Sequence, residues 1–154
     1  MTRATRTRLG IALALALAAG TVTAAGATSA PEDAGRVIHF TTKQVHQTLI
    51  DNGTAGFGVD DVVIFSNDLY QDGTKIGEDG GTCTVVRAAA GITMHCLGTN
   101  TLPDGQIAVQ GLAAPGEPFE LAITGGTGRY RGVRGQVFGR NTSSTEMDIK
   151  LVLH

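Results

Sequence analysis

The chain alternates between short stretches rich in valine, isoleucine, threonine and phenylalanine and turns rich in glycine, aspartate and asparagine. β-Branched and aromatic residues favour extended strands, whereas glycine and asparagine favour tight turns. The pattern predicts eight strands, over residues 36–50, 59–70, 82–87, 92–99, 106–112, 119–124, 129–140 and 146–154. Strands that recur about every 8–12 residues are typical of an all-β barrel or sandwich.

The strand predicted over residues 59–70 carries apolar side chains on both of its faces. Alternate residues of a strand share a face, and one face here holds Val59, Asp61, Val63, Phe65, Asn67 and Leu69. The other face also has apolar residues at mid-strand, Val62 and Ile64. A face turned to water is usually polar, so this pattern favours a homo-oligomer, a trimer or a dimer. A few exposed aliphatic residues are also ordinary on a monomer.

The first 27 residues have the layout of a secretory signal peptide. Arg3, Arg6 and Arg8 precede an apolar run over residues 9–20, and small residues follow up to Ala27. The run is too short to span a membrane, although an N-terminal core helix is an alternative. The sequence therefore predicts a signal peptide at 1–27, a flexible segment at 28–35 and a single domain at 36–154, secreted to the extracellular space.

Charge and glycine content narrow the class of protein further. Without the three arginines of the signal peptide, nine basic residues face 14 acidic ones, a net charge near −5. An acidic protein is a poor partner for nucleic acid or for an anionic lipid surface. Glycine makes up 22 of the 154 residues, about twice the usual share of roughly 7%. Helix interiors disfavour glycine, which supports an all-β domain.

Two cysteines, Cys83 and Cys96, flank a predicted hairpin that turns at residues 88–91. In a symmetric hairpin around that turn they face each other, at a spacing that a disulfide tolerates. Exported proteins usually oxidise such a pair, so a disulfide is predicted. A reactive catalytic thiol is the alternative.

Three motifs resemble cofactor or metal sites but lack the required context. The glycine-rich run at 123–132 is not followed by a helical pattern, so a hairpin turn is favoured over a phosphate-binding loop. The segment 68–79 lacks key ligands of a calcium loop and is interpreted as a solvated turn. The four histidines have no ligand-like spacing. We predict neither a metal nor a cofactor.

Two segments resemble the allene oxide cyclase and dirigent proteins. The cyclases resemble the chain at Phe65, Asn67, Leu69, Tyr70 and the later Cys83. Both branches are similar to it at Ala122 to Gly128 and at the segment Arg134 to Val137. The resemblance covers roughly Val59 to Val137. It implies an eight-stranded antiparallel β-barrel, often trimeric, with an apolar cavity and no cofactor. Cyclases of this family close a ring on an unstable allylic epoxide, and dirigents steer radical coupling.

The resemblance and the face shared by Asp61 and Asn67 suggest the site residues. Asn67, Arg134 and Asp61 are the candidate catalytic residues, which would orient a carbonyl or stabilise developing charge. The alternative is that Asp61 lies in solvent at the rim and Arg134 caps a turn. The candidate substrate-binding residues are Val63, Phe65, His39 and Leu69, with His39 near the position of an acidic residue that the cyclases carry on the first strand and this chain lacks.

Three functions remain open from the sequence. The first is a secreted, cofactor-free barrel that binds an apolar, oxygenated small molecule and steers its cyclisation, isomerisation or coupling. The second is a non-catalytic barrel that binds a small molecule or a lipid. The third is a structural protein whose barrel is filled by side chains.

Overall fold

The computed structural model describes residues 35–53 and 55–154. The predicted signal peptide and almost all of the segment 28–35 lie outside the described residues. The elements are β1 Arg36–Ile50, β2 Val62–Gln71, β3 Thr74–Arg87, β4 Thr93–Leu102, β5 Gly105–Ala113, β6 Phe119–Gly126, a 3₁₀ turn at Gly128–Tyr130, β7 Gly135–Asn141 and β8 Glu146–Leu153. Among these described residues, no helix has the length and apolar character needed to cross a membrane.

The eight strands close into one barrel in chain order. Each strand pairs antiparallel with the next, and β1 also pairs with β8, from Arg36 opposite Leu153 to Lys43 opposite Glu146. Closure satisfies the backbone hydrogen-bonding groups of every strand and leaves no free sheet edge. The prediction of an eight-stranded antiparallel barrel is confirmed, and the sandwich is excluded.

The third strand is much longer than predicted. Residues 71–81 were expected to form a turn, but β3 begins at Thr74. Asp72 and Gly73 alone make the turn, with φ angles of 50° and 77°. Two successive residues with positive φ form a tight turn whose twist matches that of the two strands, as in a two-residue hairpin. The glycines and acids that follow are therefore strand residues, and the prediction of a solvated turn over 68–79 was wrong.

The seventh strand is shorter than predicted and begins at Gly135. Residues 128–134 form the 3₁₀ turn and the bend that follows it, and Gly128 at the start of the turn has a φ of 59°. Arg134 still joins the end of the sheet, because its backbone N–H donates to the His154 carbonyl at 3.2 Å. Its side chain thus lies beyond the strand that was expected to carry it.

The barrel interior is packed with side chains at one end. Phe40, Leu69, Ile107 and Leu151 are at most 2% exposed there. Towards the other end, Cys83 and Cys96 face each other on β3 and β4 and form a disulfide, as predicted. The side chains do not fill the barrel throughout, because a cavity remains in its interior.

Candidate ligand-binding cavity

The open half of the barrel contains a cavity of about 630 Å³. This volume is in the range of sites for small organic ligands, about 300–1,000 Å³. Most of the wall is apolar, formed by Leu49, Phe57, Val63, Phe65, Met94, Val109, Phe119, Leu121, Val137, Met147 and Ile149 together with the disulfide. An apolar molecule is favoured here because its burial removes hydrocarbon surface from water.

One row of polar side chains crosses the cavity wall on four adjacent strands. Gln44 on β1 pairs with Asn67 on β2, Asn67 with Asp79 on β3, and Asp79 with Asn100 on β4. All four residues line the cavity. Facing residues on neighbouring antiparallel strands have Cα atoms about 4.5–5.5 Å apart. We call these four residues the polar row.

Asp79 is the ionisable member of the polar row. The Asn67 amide donates a 2.6 Å hydrogen bond from its Nδ2 atom to Oδ1 of Asp79. Burial has the largest influence on the carboxyl group and raises its pKa, while hydrogen bonds from Asn67 lower it; the pKa rises from 3.8 to about 6. A group with a pKa close to neutral can both accept and donate a proton under ordinary conditions.

Asn100 presents a free amide to the cavity. Its side chain is only 6% exposed and lines the cavity, yet it has no side-chain hydrogen bond to any residue that the structure describes. A buried amide normally finds partners for its donor and its acceptor. The wall thus offers one unused donor and one unused acceptor beside Asp79.

Three of the residues predicted from sequence lie on the cavity wall. They are Asn67, Val63 and Phe65, which alternate along β2 and so share its inner face. Cys83 and Cys96 also line the cavity, but their sulfur atoms are bonded to each other. This pair therefore contributes apolar surface and no thiol.

Asp61 is buried but lies outside the cavity lining. It is 0% exposed, and its two carboxylate oxygens accept hydrogen bonds from the backbone N–H groups of Asn52 and Gly58, at 2.8 and 2.7 Å. The loop between these two residues carries Phe57, which reaches the mouth of the cavity. Asp61 thus fixes a loop at the mouth, and its position does not support the catalytic role assigned from sequence or the alternative of a solvated rim residue.

Arg134, His39 and Leu69 do not line the cavity either. The exposed Arg134 side chain donates to the Val133 carbonyl at 2.8 Å. His39 alternates with inward residues of β1, so it faces outward, where its Nε2 atom lies 2.6 Å from Oδ1 of Asp148. Leu69 is 0% exposed in the packed end. Their predicted roles in catalysis or substrate contact remain predictions without a contact in the cavity.

Sequence reasoning missed Asp79, Asn100 and Gln44. Asp79 was assigned to a solvated turn because glycines and acids surround it. A signal was nevertheless present, since alternate residues counted back from Cys83 include Gly81 and Asp79, which places all three on one face of a strand. Across the described residues, no group of three or more histidine, cysteine, aspartate or glutamate side chains is arranged to hold a metal ion.

Proteins whose solved structures have the same barrel fold are named for different reactions. A pyocyanin demethylase is 30% identical, with a TM-score of 0.74, over 77% of this chain and 100% of its own. The Diels Alderase AbmU from Streptomyces koyangensis is 20% identical, with a TM-score of 0.66, over 77% of this chain and 63% of its own. The pterocarpan synthase dirigent protein PsPTS1 is 19% identical, with a TM-score of 0.63, over 77% of this chain and 93% of its own.

A comparison with curated proteins finds no match to this sequence. Among protein families, the allene oxide cyclase barrel like domain matches residues 36–153. That range includes all eight strands, the polar row and the disulfide. The chain therefore belongs to the allene oxide cyclase barrel-like family.

Proposed function

We propose that the barrel binds one apolar, oxygen-bearing small molecule and promotes its cyclisation, isomerisation or coupling by proton transfer, without a cofactor. The single observation that carries this proposal is the position of Asp79. An ionisable carboxyl with a pKa of about 6 lies on the wall of a largely apolar cavity. A carboxyl group whose pKa is perturbed by burial in a cleft is a candidate for a functional site.

Each member of the polar row has a chemical role in this proposal. Asp79 removes or returns a proton at a carbon or oxygen of the bound molecule. Asn67 orients the carboxylate through its 2.6 Å hydrogen bond. Asn100 donates a hydrogen bond to a substrate oxygen, where negative charge develops as the proton leaves. The apolar wall holds the substrate in a reactive orientation, which lowers the barrier by proximity.

The relatives support chemistry on a small molecule. The proteins compared above are a demethylase of pyocyanin, a Diels Alderase and a pterocarpan synthase, and this chain has the same barrel. The residues of the polar row lie on strands of the barrel, so they are held in register by the sheet rather than by mobile loops.

We also infer that the protein is exported and assembles into a trimer or dimer. The signal-peptide layout of residues 1–27 and the disulfide support export, because disulfides persist in oxidising compartments. The exposed, outward-facing Ile64, Leu97 and Leu112 support association between copies. Multi-angle light scattering of the secreted protein measures its mass directly, and a monomer at all concentrations would contradict the oligomer.

The experiment incubates purified protein with organic extracts of its host culture and follows both bound and free compounds by mass spectrometry. We expect one compound to be retained and converted by the native protein. Asp79→Asn should retain it and lose conversion, because the amide cannot transfer the proton. Glu120→Gln is the matched control, since Glu120 is an exposed acid bonded to Gln136 at 2.8 Å.

The pH profile of the conversion gives a second readout. If Asp79 acts as the base, the rate should fall as the pH drops through about 6, and this inflection should be absent in any residual activity of Asp79→Asn. A retained compound that stays unchanged under all conditions would refute catalysis and leave the non-catalytic binding barrel.

A further inference from the structure

The ring of Phe65 lies flat along the cavity wall. Its partner on β3 is Gly81, and the partner of Gly81 on β4 is Gly98. A Cβ atom at Gly81 would lie 2.9 Å from Cζ of Phe65, and one at Gly98 would lie 3.8 Å from the same atom. The ring therefore extends over Gly81, where a side chain would displace it, and its tip lies within ordinary contact distance of a Cβ atom at Gly98.

The ring of Phe119 lies over a glycine in the same way, on the opposite side of the barrel. Phe119 on β6 pairs with Gly139 on β7, and a Cβ atom at Gly139 would overlap the Phe119 ring. Because the eight strands close in chain order, β2 and β6 are on opposite sides of the barrel. Both rings line the cavity, so it has a flat aromatic surface on each of two facing walls.

The Phe65 ring lies beside the polar row. Asn67 follows Phe65 by two residues on β2, and Asn100 follows Gly98 by two residues on β4, on the same inner face. Two residues of a strand span about 7 Å. A molecule that contacts both the ring and the row therefore extends over roughly that distance, a length that two or more fused rings span.

Asn100 supplies the independent reason to expect such a ligand. The residue is only 6% exposed, lines the cavity and has no side-chain hydrogen bond to any described residue. Aromatic rings stack with an offset against flat π-surfaces, and a buried amide selects a group with a matching donor or acceptor. A flexible fatty chain would use neither feature.

We propose that the ligand of this cavity is a planar, conjugated fused-ring molecule that stacks on Phe65 and hydrogen-bonds through an edge oxygen or nitrogen to Asn100. This inference rests on the proposed function and names the chemical class of its ligand. Asn100 is the residue that sets the position of the ligand edge, and Phe65 is the one that selects planarity.

The test compares two probes that share size and hydroxyl group but differ in planarity, 2-naphthol and decahydro-2-naphthol, by isothermal titration calorimetry. We expect 2-naphthol to bind about threefold to tenfold more tightly, the range that an aromatic contact adds beyond burial. Phe65→Leu should reduce this preference, because only the Phe119 ring would remain, while Phe138→Leu, on the outer face beside Lys150, should keep it in full. Asn100→Leu should weaken 2-naphthol binding.

A second variant guards against misfolding of Phe65→Leu. A Cβ atom at Gly98 would lie no closer than 3.3 Å to any neighbour, so Gly98→Ala should fold. Its methyl group would occupy space on the cavity wall beside the Phe65 ring, which should weaken 2-naphthol binding. Equal affinities for the two probes in the native protein would overturn the planar class and leave the proposed function standing. Failure of both probes and of the apolar dye 1-anilinonaphthalene-8-sulfonate to bind would overturn both proposals.

Discussion

Replacing Asp79 by asparagine should stabilise the protein at neutral pH. The carboxyl has a pKa of about 6 in the folded protein against 3.8 ordinarily. Each unit of pKa difference between the folded and unfolded states corresponds to about 1.4 kcal/mol, so ionised Asp79 costs the fold about 3 kcal/mol. The asparagine amide removes that charge and keeps an oxygen that can accept the hydrogen bond from Asn67.

The sign of the pH dependence follows from the same pKa values. Because the folded pKa is raised, the native state binds more protons than the unfolded state between pH 3.8 and about 6. The contribution of Asp79 to stability is therefore fully present below pH 3.8 and is lost as the pH rises through about 6. The Asp79→Asn variant lacks this titration. Its free energy of unfolding should therefore equal that of the native protein at pH 4 or below and exceed it by about 3 kcal/mol at pH 7.5.

Urea denaturation of both proteins at a series of pH values measures this difference. Other titrating groups are common to both proteins and cancel in the comparison. Asp104→Asn serves as a control, because Asp104 is exposed and paired with Arg129 at 3.5 Å; its difference from the native protein should stay near zero. A stability difference for Asp79→Asn that is the same at pH 4 and pH 7.5 would refute the account of Asp79 as a buried, strained acid.

Three further predictions concern stability and the mouth of the cavity. The hydroxyl of Thr42 is buried and has no hydrogen-bond partner among the residues that the structure describes, so Thr42→Val should raise the free energy of unfolding by about 1 kcal/mol in urea denaturation. The double substitution Cys83→Ser and Cys96→Ser removes a disulfide between residues 13 positions apart. It should lower the free energy of unfolding by about 3 kcal/mol, and an unchanged stability would contradict this. Asp61→Ala leaves the Gly58 amide without its acceptor, and hydrogen exchange at that amide should accelerate while that of β4 does not.

The architecture was predictable because it depends on features that recur along the whole chain. Strand-forming stretches alternate with turns along the sequence, and this pattern can be recognised directly. The facing positions of Cys83 and Cys96 follow from the symmetry of the hairpin that they flank. The exact strand ends were harder to predict. The turn at Asp72 and Gly73 needs only two residues. The glycine-rich segment that follows it therefore belongs to β3 and makes up more than half of that strand.

The site was predictable only in part because cavity residues meet through strand register. Asn67, Val63 and Phe65 were found from one face of one strand. Asp79 and Asn100 join Asn67 through pairings between strands, and register depends on where each bulge falls, as at Gln44 to His46. His39 lies on the outer face of β1 beside Asp148, so its predicted contact with a substrate stays a prediction.

The side chains of the polar row take no part in the backbone ladder that closes the barrel. Exchanging one of these four amino acids therefore changes what the interior recognises while leaving the scaffold intact. A new activity can therefore evolve through a few substitutions in the cavity, because the protein still folds after each of them. Solved structures of a demethylase, a Diels Alderase and a pterocarpan synthase have this same barrel fold.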